Sequence, residues 1–177
     1  VEHLLSKHKV TVFDGVGFLE TKNRVRVDTS KETLEIKANN VILATGARPR
    51  ELKGLESDGL IIWNYKHALR PVKVPKKILV VGSGAIGVEF ASFYNSLGCD
   101  VTIIEIFERI LPNEDKDIAA HAKKEFSKKG IKIFENTKIL SCKKSKVEAL
   151  VELKKEGNIK TDSFDTIIVA TGIIGNT

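Results

Sequence analysis

Apolar and polar positions alternate in short runs over the first third of the chain. Residues 10–13 (Val-Thr-Val-Phe), 24–28 (Arg-Val-Arg-Val-Asp) and 33–37 (Thr-Leu-Glu-Ile-Lys) each follow a period of two. Successive side chains of a strand point to opposite faces, so this period predicts a small antiparallel meander, with Gly15, Gly17 and Asn23 in its turns. Residues 2–7 ahead of it read as the end of a helix. Residues 40–46 (Asn-Val-Ile-Leu-Ala-Thr-Gly) are apolar without alternation, as in a strand covered on both faces. Residues 46–59 have the composition of a loop.

Pro71 and Pro75 then hold the chain extended and mark a boundary near Arg70. Beyond it the period switches repeatedly. Residues 77–81 form an apolar strand, and residues 85–97 show helical spacing through Ile86, Phe90, Ala91, Phe93, Tyr94 and Leu97, stopped by Gly98. A strand at 101–105, a helix at 117–129 closed by Gly130, and a strand at 131–134 follow. Residues 138–143 and 147–154 read as hairpin strands, with a turn near Glu156-Gly157-Asn158, and 166–170 as a last buried strand. Strands alternating with helices give an α/β fold, a Rossmann-like parallel sheet. The late hairpin stands where the next crossover helix is expected, as a β-meander crossover. Ala44-Thr-Gly46 is echoed by Ala170-Thr-Gly172, which suggests two related layers, each a meander followed by a return strand.

Composition narrows the classes. Of 177 residues, 42% are hydrophobic and 29% charged, the balance of a globular chain of one domain and a fraction. No run approaches the roughly 18 apolar residues of a membrane span, and no apolar signal core opens the chain. The net charge of +6 is dispersed, with Lys interleaved with Glu along 121–129 and no aromatic platform beside it, so nucleic acid is set aside. Cys99 and Cys142 are read as ordinary buried or partly buried thiols in a reducing compartment, cytoplasmic or, in a eukaryote, the mitochondrial matrix. No Cys or His spacing matches a metal site. The chain contains no Met, so it is expected to be a piece of a longer one.

The densest chemical signal is Gly82-Ser-Gly84-Ala-Ile-Gly87, between an apolar strand and a helix. This is the context a dinucleotide loop requires: Gly82 for the tight turn, Gly84 for backbone approach to a pyrophosphate, and Gly87 for helix–strand packing. The unpaired N–H groups of the first helical turn then face the phosphates. The loop residues Gly82, Ser83, Gly84, Ala85, Ile86 and Gly87 are the candidate binders. Glu105 ends the next strand about 20 residues on, where an acid accepts ribose hydroxyls and repels a 2′-phosphate, favouring NAD over NADP. Glu89 has two readings, a first-turn acid stabilised by the helix dipole and a carboxylate near the nicotinamide.

Residues 75–98, 101–105 and 109–117 (Arg-Ile-Leu-Pro-Asn-Glu-Asp-Lys-Asp) resemble the pyridine-nucleotide domain of the dihydrolipoamide dehydrogenase family, flavoprotein disulfide reductases of the 2-oxoacid dehydrogenase complexes. The resemblance extends over essentially the whole chain. It implies an enzyme that oxidises protein-bound dihydrolipoamide through a redox disulfide and FAD and reduces NAD to NADH. It also implies a homodimer whose partners are the lipoyl domains and core of such a complex. On that resemblance residues 1–70 match the late part of an FAD domain and 71–177 the NAD(H)-binding domain. Gly17, Ala44, Thr45 and Gly46 match flavin-site positions. Ile86 and Glu89 match residues at the nicotinamide, Ile139 an adenine-packing position, and Gly172 the closing strand-end contact.

The departures bound what this chain does. It lacks the family's first glycine loop, its C-x-x-x-x-C pair and its C-terminal His-Glu pair; His3, His8, His67 and His121 are read as surface residues. Residues 172–177 replace a common Gly-Arg-x-Pro-Asn, removing an Arg contact. The chain is therefore expected to carry no catalytic residue of its own and to be inactive toward lipoamide alone. The rival readings are a fragment of another flavoprotein disulfide reductase or NADH oxidase, and a stand-alone NAD(H)-binding module.

Overall fold

A computed structural model describes residues 1–176; Thr177, the last residue of the expected second domain, lies outside them. Two compact units are present, Val1–Thr45 and one that begins at Gly46.

In the first unit a short helix, α1 (Glu2–Lys7), precedes a three-stranded antiparallel sheet, β1 (Val16–Thr21), β2 (Arg24–Asp28) and β3 (Thr33–Lys37), in the order β1-β2-β3. β2 and β3 lie where alternation places them. The first strand does not: residues 10–14 are outside any strand, and β1 pairs with β2 from Val16↔Asp28 onward. Gly15 explains the offset, because a Cβ there would stand 2.5 Å from the Asp28 carbonyl oxygen, a backbone approach only glycine permits. The run 40–46 is also corrected. It joins no sheet among the described residues, and Ile42 and Leu43 are 89% and 67% exposed. An apolar run becomes a buried strand only where neighbouring strands pair with its backbone, and no described strand does so.

The second unit opens with β4 (Ala47–Pro49), β5 (Ile62–Trp63) and a one-turn helix, α2 (Tyr65–Ala68). The α/β succession follows: β6 (Lys77–Val81), α3 (Ala85–Ser96), β7 (Asp100–Ile104), α4 (Lys116–Lys128) and β8 (Lys132–Phe134). Then come the meander strands β9 (Thr137–Lys144), β10 (Ala149–Lys155) and β11 (Asn158–Phe164), the return strand β12 (Thr166–Val169) and β13 (Ile173–Gly175). The central sheet is parallel, in the order β5-β12-β6-β7-β8, and β9–β11 form a separate antiparallel sheet. The crossover is thus a three-stranded meander. Its third strand, and the edge strand β5, carry no clear alternation and were not expected.

Both faces of the parallel sheet are covered, which is why its strands are apolar without alternation. Ile78, Val80, Val101, Ile103 and Ile168 point to the layer holding Ala91 and Tyr94 of α3. Leu79, Val81, Ile104, Ile167 and Val169 point to the other layer, where the meander contributes Ala149, Val151, Leu153 and Phe164. Tyr94 is fully buried and its hydroxyl donates to the Ala68 carbonyl at 2.7 Å; burial pushes its phenol up to about 12.

The segment between β4 and β5 is organised by Asp58. Its Oδ1 accepts the N–H groups of Leu60, Ile61 and Ile62, each at 2.9 Å, and Oδ2 pairs with Lys144 of β9 at 2.8 Å. Burial pushes the carboxyl up, but the Lys144 ammonium and the three N–H donors outweigh it and hold it at about 2, below the ordinary 3.8. A lowered folded value stabilises the fold above the unfolded value and loses that stabilisation as pH falls through the folded one. Asp58→Ala is therefore expected to cost about 1–2 kcal/mol at pH 7 after solvent screening. The gap between parent and variant in urea melts should close between pH 4 and about 2. A gap that stays constant over that range would refute this role.

Candidate functional site

The C-terminal ends of β6, β7 and β12 meet at the glycine loop, where a cavity of about 770 Å³ opens. This is where an open α/β sheet binds ligands, at the carboxyl edge of its strands. Each glycine of the loop has a separable reason. Gly82 sits at φ +96°, and a Cβ on it would lie 2.7 Å from the Ala170 carbonyl oxygen. Gly87 packs α3 against the loop so closely that a Cβ would fall 2.1 Å from the Gly82 carbonyl oxygen. Gly84 has nothing within 4 Å of its Cβ position, so the space beside it is open to a ligand.

The helix ends differ in a way that bears on binding. At α4, Asp115 caps the N-terminus by accepting from Asp117 and Ile118. At α3 the cap is Gly84, with no side chain to accept from the first turn. The first-turn N–H groups of a helix have no intrahelical partner, so those of α3 face the cavity as donors for an anion. An uncapped helix end, an open Gly84 and a cavity of about 770 Å³ fit a dinucleotide.

Glu105 is 4% exposed and borders the cavity. Its Oε2 accepts both the N–H and the hydroxyl of Ser83, at 2.8 and 2.6 Å, and its Oε1 accepts the Phe107 N–H at 3.1 Å. Ser83 is fully buried, so its polar groups address Glu105 rather than the open cavity.

Ala85, Ile86, Ile139 and Gly172 all line the cavity, with Gly172 at φ +109°. Glu89 does not line it. It is exposed, and since α3 begins at Ala85 it lies beyond the first helical turn, so the reading as a first-turn acid is corrected. None of the flavin-site candidates is among the residues that line this cavity. Gly17 is in β1, Ala44 and Thr45 close the first unit, and Gly46, at φ +78°, opens the second and accepts the Asn176 N–H through its carbonyl.

Apart from Ile139, two parts of the lining had no signal in the sequence. Leu52–Leu55 form one wall, from a segment with only loop composition. Residues 137–142 of β9 all border the cavity, although a regular strand presents alternate residues to one side. A β-bulge breaks the alternation within this stretch: β10 pairs Glu152 with Ser141 but Leu153 with Ile139, leaving Leu140 as an extra residue.

The thiols fit no redox role here. Cys99 is buried and donates to the Pro75 carbonyl at 3.0 Å, Cys142 is half-buried, and burial pushes both thiols up, away from the reactive thiolate. Among the described residues no group of His, Cys, Asp and Glu could hold a metal ion, and no helix is long and apolar enough to cross a membrane.

Comparison with known proteins agrees with this geometry. The model of the pyridine nucleotide-disulphide oxidoreductase family matches residues 1–177. A dihydrolipoyl dehydrogenase of Zymomonas mobilis is 42% identical over 178 residues, covering 99% of this chain and 38% of that protein. One of Rhizobium etli is 47% identical over 141 residues, covering 78% of this chain and 29% of that protein. The chain thus spans about two fifths or less of the length of these relatives. Among solved structures, LpdA of Mycobacterium tuberculosis superposes with a TM-score of 0.82 at 28% identity, over 99% of this chain and 39% of that one. The HOCl-induced flavoprotein disulfide reductase RclA of Escherichia coli superposes with a TM-score of 0.77 at 26% identity, over 99% of this chain and 39% of that one. An α/β fold with a glycine loop, a buried acid at the next strand end and a family match along its whole length together show that this chain belongs to the pyridine nucleotide-disulphide oxidoreductase family, whose cofactors are FAD and a pyridine nucleotide.

Proposed function

We propose that this chain supplies the NAD(H) site of a dihydrolipoyl dehydrogenase. In that reading residues 1–70 belong with an FAD domain and 71–177 form the nucleotide domain, with 46–70 lending β5 to the nucleotide sheet. The parent is a homodimer that serves the lipoyl domains of a 2-oxoacid dehydrogenase complex, in the cytoplasm or the mitochondrial matrix. The support is the likeness to dihydrolipoyl dehydrogenases across nearly the full chain. The single observation that carries the nucleotide assignment is the buried Glu105 carboxylate beside an uncapped glycine loop.

Bound NAD supplies the hydride acceptor, and FAD the relay from the thiols. This chain's own residues bind and select. The N–H groups from Gly84 to Gly87 bind the pyrophosphate. Glu105 accepts a ribose hydroxyl at Oε1, which has one donor and room for another. A 2′-phosphate would stand against a buried carboxylate, a like-charge contact costing several kcal/mol. Ile139 packs against the adenine end, Gly172 closes the strand-end side, and Ile86 borders the nicotinamide end. The assignments of Glu89 to the nicotinamide and of Gly17, Ala44, Thr45 and Gly46 to FAD rest on the resemblance alone. Thiol chemistry falls outside this chain, since Cys99 and Cys142 remain protonated thiols.

Fluorescence titration of the chain is expected to give NADH a Kd at least about tenfold below that of NADPH. Glu105→Ala is expected to bring the two within about threefold. Equal affinities in the parent chain would remove the assignment of Glu105 and the preference for NAD.

A further inference from the structure

Ser83 occupies the position between the first two glycines of the loop and is fully buried. Both of its donors end on one oxygen of Glu105. Its carbonyl in turn accepts the Leu111 N–H at 2.9 Å, so the residue is fixed from the segment after β7 as well as from the loop. The other Glu105 oxygen is held by Phe107. A carboxylate offers about four lone-pair sites, and three are taken here by protein donors, which leaves Oε1 with capacity for one more.

The consequence is mechanical. A glutamate at an open strand end can rotate away from an incoming phosphate, and its discrimination then weakens. Glu105 cannot turn without breaking two bonds to Ser83 and one to Phe107 inside a region of low exposure, where charge repulsion is poorly screened. Replacing the hydroxyl leaves the Ser83 N–H in place, so the loop keeps its path while the carboxylate loses its shortest bond.

We propose that Ser83 is the positioning residue that sets nucleotide selectivity, its hydroxyl locking Glu105 where the carboxylate accepts a ribose hydroxyl and excludes a 2′-phosphate. The inference rests on the NAD(H) reading above, and its test separates the two. Kd values for NADH and NADPH are measured on the full 177-residue chain. The proteins are the parent, Ser83→Ala, Glu105→Ala and the double variant, with Ser83→Gly as a second way to remove the hydroxyl and thermal melts on each. The ratio of the NADPH to the NADH Kd is expected to fall at least about threefold in Ser83→Ala, and no further than in Glu105→Ala, against less than about twofold when the same change is made in Glu105→Ala.

A parent chain that prefers NADH while Ser83→Ala keeps the same ratio, both Kd values moving in parallel, would overturn the role of Ser83 and leave the NAD(H) reading standing. An equal fall of the ratio in both backgrounds would show that Ser83 acts independently of Glu105 and would also overturn it. A parent chain with no preference, or with no affinity for either nucleotide, would overturn the NAD(H) reading and this inference with it.

Discussion

Gly87→Ala is expected to destabilise the chain by about 3 kcal/mol and to abolish measurable NADH binding. The added Cβ would fall 2.1 Å from the Gly82 carbonyl oxygen, a backbone atom. The loop cannot yield cheaply, because Gly82 is itself at φ +96° and its N–H donates to the Ile104 carbonyl at 3.0 Å. Nor can the helix move away, since Val88 and Ala91 on the same face are packed into the core. Gly84→Ala is the paired control. Its Cβ meets nothing within 4 Å, so stability should stay within about 1 kcal/mol of the parent while NADH binding is lost to the methyl in the phosphate's place. Urea melts and NADH titration on both variants read the two effects. A Gly87→Ala chain as stable as the parent, or a Gly84→Ala chain with unchanged affinity, would refute the roles given to these positions.

Phe164→Ala is the second large effect, expected to cost about 3–5 kcal/mol. Phe164 is 1% exposed, ends the last meander strand and packs in the cluster that joins the meander to the parallel sheet. Its ring also lies 5.1 Å from the Lys77 ammonium, which pairs with Asp162 at 2.6 Å. Truncation leaves a cavity beneath the meander, and the neighbouring strands relax into it only partly. The same loss should weaken NADH binding, because the bulged strand β9 forms one wall of the cavity and is held to the sheet through β10 and β11. A melt shifted by less than about 1 kcal/mol would show that the meander is anchored elsewhere.

Much of this fold was legible from local rules. β6, α3, β7, α4 and β12 lie within a residue or two of where period, glycine stops and apolar runs place them, because those signals depend on neighbours a few residues apart. Glu105 and the loop were legible for the same reason: backbone demands at Gly82 and Gly87 leave a glycine as their only trace. Other features carried no such trace. β5 is two residues long, and it exists because β12 offers an edge. Residues 40–46 have the composition of a buried strand and are exposed, because pairing depends on what else meets that backbone.

Residue order alone was enough to place a glycine loop between strand and helix, an acid at the next strand end and a parallel α/β core. That Ser83 and Phe107 hold that acid, that residues 137–142 of the bulged strand β9 border the cavity, and that residues 52–55 close a wall came only from the packing of the folded chain. Periodicity and glycine geometry are properties of the local backbone, whereas the partner of a buried carboxylate is whichever donor the packing of distant segments brings within hydrogen-bond reach.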